Sequence, residues 1–175
     1  IILEGAGNKK EESIALNNIG NVYKLKKDFL KAKEYYLKSS KIREELGYKD
    51  RLAESYCNLG VVFDALGDIK TAMDYYKRSL KLFEELREKE NMSSLLTSLA
   101  RSLIAQGRLA EASEYAERSL KMAKEIGYPD RLEASALTMK LIYLKQNKHK
   151  EAFEMYELEI KMRDSIKNTA NQKAT

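Results

Sequence analysis

The chain has 175 residues, 43% of them hydrophobic and 34% charged, with eight glycines, one proline, no tryptophan and a mean hydropathy of −0.56. So little turn chemistry excludes a collagen-like or Pro/Gly-rich disordered chain. It also argues against an all-β chain, which needs turn residues about every 8–12 positions. Thirty-two basic and 27 acidic residues leave a net charge of +5, and the signs alternate along the chain. That pattern reads as solvated helix faces rather than the basic stripe of a nucleic-acid binder.

Residues 1–7 read as the tail of a helix belonging to an earlier repeat, ended by Gly7. Gly7 lies 40 residues before Gly47, and Gly127 falls in the same series; Ile2 likewise aligns with Ile42 and Leu82. At least one further repeat upstream is therefore expected. From Ser13 onward one period of 40 organises the chain. Asn18-Ile19-Gly20 returns as Asn58-Leu59-Gly60, as Ser98-Leu99-Ala100 and, most weakly, as Thr138-Met139-Lys140. The series Ala32, Ala72, Ala112, Ala152 and the series Tyr36, Tyr76, Ala116, Tyr156 keep the same spacing. So do Phe29, Ile69, Leu109, His149 and Leu46, Leu86, Ile126, Ile166.

Within a unit the spacing is helical. Tyr56, Leu59, Gly60 and Phe63 share one helix face, Gly67-Asp68 interrupts, and Ala72, Tyr76, Ser79, Leu80 and Phe83 form a second apolar face. Each unit is an antiparallel helix pair, with small residues at Gly20, Gly60 and Ala100 where the helices approach. Gly67, Gly107 and Asn147 fall between the helices of a repeat, where a left-handed cap is expected. In the fourth unit Lys140 replaces the small residue and His149 the aromatic, which suits a terminal repeat. The second helix of that unit continues over residues 160–168, and residues 169–175 read as a frayed tail.

Leu59-Gly60-x-x-Phe63, Gly67-Asp68, Ala72 and Tyr75-Tyr76 resemble the tetratricopeptide repeat, in a 40-residue form. The resemblance covers the whole chain as one domain, with repeats at 13–52, 53–92, 93–132 and 133–168. It implies an all-α, right-handed α-α superhelix that binds a protein or peptide segment in the concave groove lined by the first helices. Carried over position by position, the groove residues are Asn17, Asn18, Asn21 and Lys24 in the first repeat and Asn58 and Asp64 in the second. Ser98 and Arg101 follow in the third, and Thr138 and Lys145 in the fourth. Side-chain amides at Asn18 and Asn58 would match the donors and acceptors of a peptide backbone; ordinary exposed polar residues are the plainer alternative. The carboxylate clamp of chaperone co-factors is not reproduced, because its basic partners in the third repeat are replaced by Ser94 and Ser98.

Tyr36, Tyr76 and Tyr156 are expected to pair the helices of their own repeats, and Tyr35, Tyr75 and Tyr115 to pack between adjacent ones. For catalysis the chain offers little. Its one cysteine, Cys57, and one histidine, His149, lie in different repeats, and no cluster has the spacing of a metal site. No catalytic residue, metal or cofactor is expected, and a single cysteine forms no internal disulfide. No apolar run approaches the roughly 18 residues of a membrane helix, and neither nucleic acid nor direct membrane contact is expected. The segment from Tyr156 to Ile166 also resembles the last repeat of certain bacterial sensors, which implies the input part of a signalling protein. The alternative is a cytoplasmic assembly scaffold or adaptor, and an enzyme is the outside class. The compartment follows from that choice, being extracytoplasmic for a sensor.

Overall fold

The computed structural model describes the backbone of residues 2–174 and the side chains of residues 8–170 and 172. Among the described residues every regular element is an α-helix: α1 (Ile2–Leu25), α2 (Phe29–Glu45), α3 (Lys49–Ala65), α4 (Ile69–Leu86), α5 (Lys89–Ala105), α6 (Leu109–Ile126), α7 (Pro129–Lys145) and α8 (His149–Ala174). They form two compact units, residues 1–87 and residues 88–175. Each unit holds two helix pairs, α1/α2 with α3/α4 and α5/α6 with α7/α8.

A left-handed residue follows each of the first seven helices, one every 20 positions. These are Lys27, Gly47, Gly67, Arg87, Gly107, Gly127 and Asn147, with φ between 58° and 82°. Glycine fills only four of these positions. At Lys27 and Arg87 the backbone carries a strain of about 1–2 kcal/mol, because Cβ crowds the following carbonyl. The next helix is restarted by a cap in unit 1, where Asp28 accepts from the Lys31 amide and Asp68 from the Thr71 amide, each at 3.1 Å.

Within the pairs, three seams recur. A Cβ added to Gly20 would lie 2.7 Å from the Tyr36 ring, and one added to Gly60 would lie 2.5 Å from the Tyr76 ring. The glycines exist because a buried tyrosine lies flat on the helix backbone there. Ala100 and Ala116, both buried, replace this glycine–tyrosine pair in the third repeat. A buried serine makes the second seam. Ser39 donates to the Ser13 carbonyl at 2.7 Å, Ser79 to the Ala53 carbonyl at 2.7 Å and Ser119 to the Ser93 carbonyl at 2.9 Å. The third seam lies at the surface, where Lys9–Glu45, Lys49–Glu85 and Lys89–Glu125 form ion pairs at 3.4, 3.0 and 2.8 Å. Exposed pairs of this kind contribute only about 0–1 kcal/mol each. Their value is as markers of register. They repeat at the 40-residue spacing of the sequence, from Lys9 to Lys49 to Lys89.

The fourth repeat exchanges four small residues for charges. Glu133, Lys140, Glu159 and Arg163 stand where the third repeat has Ser93, Ala100, Ser119 and Ala123. Lys140 Nζ donates to Glu159 at 2.5 Å, Arg163 donates to Glu159, and Arg163 Nε donates to Glu133 at 2.9 Å. Two acids and two bases alternate along the α7/α8 seam, so the buried Glu159 carboxylate is neutralised from both sides. A lysine in place of glycine leaves no room for a flat ring. Tyr156 is therefore exposed, with Lys140 Nζ 5.2 Å from its ring centroid, and does not pair the helices as Tyr36 and Tyr76 do.

Three further expectations change. Gly7 does not end a helix: α1 runs unbroken from Ile2 to Leu25. The Gly-Tyr sequence of the turns at Gly47 and Gly127 is absent after Gly7, where Asn8-Lys9-Lys10-Glu11-Glu12 follows instead. A lone interior glycine costs a helix only about 1 kcal/mol. Residues 169–174, expected as a tail, continue α8 as far as Ala174, and Thr169 Oγ1 donates to the Ser165 carbonyl at 3.0 Å. Tyr35 and Tyr75 stack inside their own repeats, on Tyr23 and Phe63, each with ring centroids 5.4 Å apart.

Candidate peptide-binding faces

In unit 1 the candidate face is carried by α1 and α3. Lys24 Nζ donates to Asn58 Oδ1 at 2.9 Å, tying the first helices of the two repeats together. Tyr36 reaches through from α2 and donates its hydroxyl proton to Asn21 Oδ1 at 2.7 Å. The Asn21 and Asn58 oxygens are thus held by the protein itself, while their NH2 groups have no partner among the described residues. Asn18 is exposed on the same helix, and Asp64 is half-buried at the end of α3. Burial lowers the Lys24 ammonium from its ordinary range, with Cys57 opposing in part, and raises the Tyr36 phenol. Burial likewise pushes the Cys57 thiol up to about 11, Lys24 only partly opposing it. At neutral pH the cysteine is protonated, and the thiolate required of a nucleophile is scarce.

In unit 2 the face is carried by α5 and α7, which pack directly on one another. Arg101, Ile104, Ala105, Leu141 and Lys145 line a recess of about 220 Å³. Both cations are exposed, and neither has an acidic partner among the described residues. They share the recess with the apolar side chains of Ile104 and Leu141. Chemically this recess accepts a carboxylate beside an aliphatic group. Ser98 is half-buried and returns its hydroxyl to its own helix, at the Ser94 carbonyl, 3.1 Å away. A larger recess of about 530 Å³ between α6 and α7 mixes Lys121 and Lys124 with Glu117 and Glu125 around Met139 and Tyr143. Its charges offset one another.

Two expected groove residues are not on these faces. Asn17 is buried, and its Oδ1 meets the Arg43 guanidinium at 3.5 Å. It precedes Asn18 by one residue, and that rotation of about 100° carries it from the open face into the α1–α2–α3 junction. Thr138 is also buried, in the helix against which α5 packs, and it donates to the Ala134 carbonyl at 2.9 Å. The junction at Arg43 was not anticipated from sequence. Its Nη1 donates to the Arg51 carbonyl at 2.6 Å and to Ser55 Oγ at 2.8 Å, in a series whose other members are Phe83, Ala123 and Arg163. His149 is exposed. Among the described residues no group of three His, Cys, Asp or Glu side chains could hold a metal ion, and no helix is long and apolar enough to cross a membrane.

The family model of the tetratricopeptide repeat matches residues 11–85 and 91–165, each stretch covering two helix pairs. The chain belongs to the tetratricopeptide repeat family. No curated protein matches it. Among solved structures it is similar to BtubC (BKLC) from P. vanneervenii, at 19% identity and a TM-score of 0.78, over 89% of this chain and 64% of that one. It is also similar to aspartyl phosphate phosphatase F from Bacillus subtilis, at 16% identity and a TM-score of 0.85, over 90% of this chain and 42% of that one. The chain thus spans less than two thirds of either protein. At these identities the likeness establishes the fold: an all-α helical-repeat solenoid.

Proposed function

We propose that this tetratricopeptide repeat chain is a non-catalytic module that binds an extended segment of another protein, and that the segment carries an acidic residue beside an aliphatic one. The observation behind this reading is the α5/α7 recess. Two cations without acidic partners flank an aliphatic floor, and exposed apolar side chains grouped with unpaired charge mark binding surfaces. The unpartnered amide groups of Asn21 and Asn58 supply donors for peptide carbonyls on the α1/α3 face. On this reading the module is the input part of a bacterial signalling protein or, as the alternative, an adaptor. That one protein of similar fold is named an aspartyl phosphate phosphatase supports a place in signalling without separating the two roles.

The test is selection of a phage-displayed 12-residue random peptide library on the purified chain. The expected result is enrichment of Asp or Glu next to Leu, Ile or Val. An enriched peptide should lose about 1–3 kcal/mol of affinity with Arg101→Ala, as for a charge-assisted contact removed. Enrichment of basic peptides, or affinity indifferent to both Arg101→Ala and Lys145→Ala, would refute the reading.

A further inference from the structure

Two periods of 40 residues relate unit 1 to unit 2, and where their side chains differ most in size unit 2 has a recess. In unit 1 Tyr56 of α3 is buried in a cluster drawn from α2, α3 and α4. Arg78 of α4 donates to the Tyr56 hydroxyl at 2.5 Å and lies 4.1 Å from its ring centroid. Tyr75 of α4 packs beside it, with its centroid 5.7 Å from that of Tyr56, and stacks on Phe63 at 5.4 Å. Burial raises the Tyr56 phenol, Arg78 opposes this and Glu44 of α2 adds to it. The hydroxyl thus lies between a base on α4 and an acid on α2.

Two periods later these fillers are smaller and uncharged. Ala136 stands for Tyr56, Met155 for Tyr75 and Leu158 for Arg78. The surrounding positions remain as walls. Met139, Tyr143 and Lys124, the equivalents of Leu59, Phe63 and Glu44, line the recess of about 530 Å³ between α6 and α7. Leu120, in place of Ser40, adds an apolar wall. Packing of α6 on α5 and α7, and of α7 on α8, places the recess inside unit 2 and away from the outer edges of the chain. Its volume is that of a ligand site, commonly about 300–1,000 Å³.

The wall charge is reversed as well, from Glu44 to Lys124. By count the rim charges cancel, but they are not equally available. Glu125 is paired with Lys89 at 2.8 Å, and Glu117 accepts from the Ser113 hydroxyl at 3.0 Å. Lys121 and Lys124 are exposed and form no ion pair among the described residues. An occupant that supplies what unit 1 supplies for itself therefore carries a ring, to lie on Tyr143 as Tyr75 lies on Phe63. Opposite Lys124 it carries an acid where unit 1, opposite Glu44, has Arg78.

We propose that the α6–α7 recess is a second docking site, for a protein segment that inserts an aromatic side chain beside an acidic one. It is separate from the α5/α7 face and does not rest on the reading given for that face.

Selection of a 12-residue random peptide library on the full chain carrying Arg101→Ala and Lys145→Ala, which disables the α5/α7 recess, tests this. The expected result is enrichment of Trp, Tyr or Phe beside Asp or Glu. The chain has no tryptophan. An enriched peptide with tryptophan at its aromatic position therefore reports burial of its own ring, as a blue-shifted emission that saturates on titration. Lys124→Glu, a change to an exposed side chain, should weaken this peptide by about tenfold or more, because it sets like charges together. Ala136→Tyr, which restores the filler of unit 1, should abolish saturable binding. Circular dichroism reports whether that variant folds, and Lys124→Glu decides alone if it does not. Absence of aromatic–acidic enrichment overturns the proposal. So does an emission that does not shift, or a peptide that binds the Lys124→Glu chain as tightly as its parent.

Discussion

Gly60→Ala is a one-carbon perturbation whose sign the structure decides. On a helix surface the change would stabilise by about 1 kcal/mol, because alanine loses less backbone entropy than glycine. Here the new Cβ would lie 2.5 Å from Cδ1 and Cε1 of Tyr76 and 3.0 Å from its Cγ. Tyr76 is itself fully buried between α3 and α4, so its ring can yield only by separating the two helices. Overpacking of this kind costs about 1–3 kcal/mol, which offsets the propensity gain and leaves a net loss of up to about 2 kcal/mol. The third repeat shows the alternative solution, with alanine at both positions, so Tyr76→Ala should release the constraint. Alone, that truncation costs about 3–5 kcal/mol. In its presence, however, Gly60→Ala should become stabilising, giving a coupling of about 1–3 kcal/mol between two residues in contact. Urea unfolding followed by far-ultraviolet circular dichroism, for the wild type, both single variants and the double variant, measures this cycle. A Gly60→Ala protein more stable than the wild type, or a cycle with no coupling, would refute the packing argument.

The charged seam of the fourth repeat makes a second prediction. Glu159→Ala leaves Lys140 and Arg163 without their shared carboxylate, and it should destabilise by about 3 kcal/mol, as removal of one partner of a buried pair does. Lys140→Ala with Glu159→Ser, the combination found in the third repeat, should recover most of that loss in the same urea assay. The third concerns alkaline pH. Burial raises the Cys57 thiol from 9.0 to about 11, and it also raises the Tyr36 and Tyr76 phenols. Groups whose folded pKa lies above the unfolded one stabilise most while protonated, and they lose that contribution as pH rises through the folded value. The melting temperature should therefore fall between pH 9 and pH 11, and less so in Cys57→Ser. A melting temperature flat across that window, or an identical slope in Cys57→Ser, would contradict the burial of the thiol.

The sequence alone determined the architecture because a solenoid repeats its constraints. A 40-residue spacing of Gly20 and Gly60, of the four alanines, and of Tyr36 and Tyr76 can arise only if the same helix pair is built again and again, and local periodicity suffices to read it. Seams made by hydroxyls and charges were not legible in the same way. Ser79 falls on an apolar helix face in the sequence, but what Ser39, Ser79 and Ser119 do there is not legible until their carbonyl partners, 26 positions away, are known. Glu133, Lys140, Glu159 and Arg163 look like four unrelated surface charges until α7 and α8 are brought side by side. The binding faces were legible only to within a helical rotation. Asn18 and Asn17 differ by one position, and tertiary packing alone put the first in solvent and the second against Arg43. Tertiary structure also decided that Tyr156 lies outside its seam, because Lys140 takes the space that a glycine would have left. Repetition in the chain specifies which residues are equivalent. Only the packed neighbours, through excluded volume and paired charge, decide which equivalents are buried and which are left to bind.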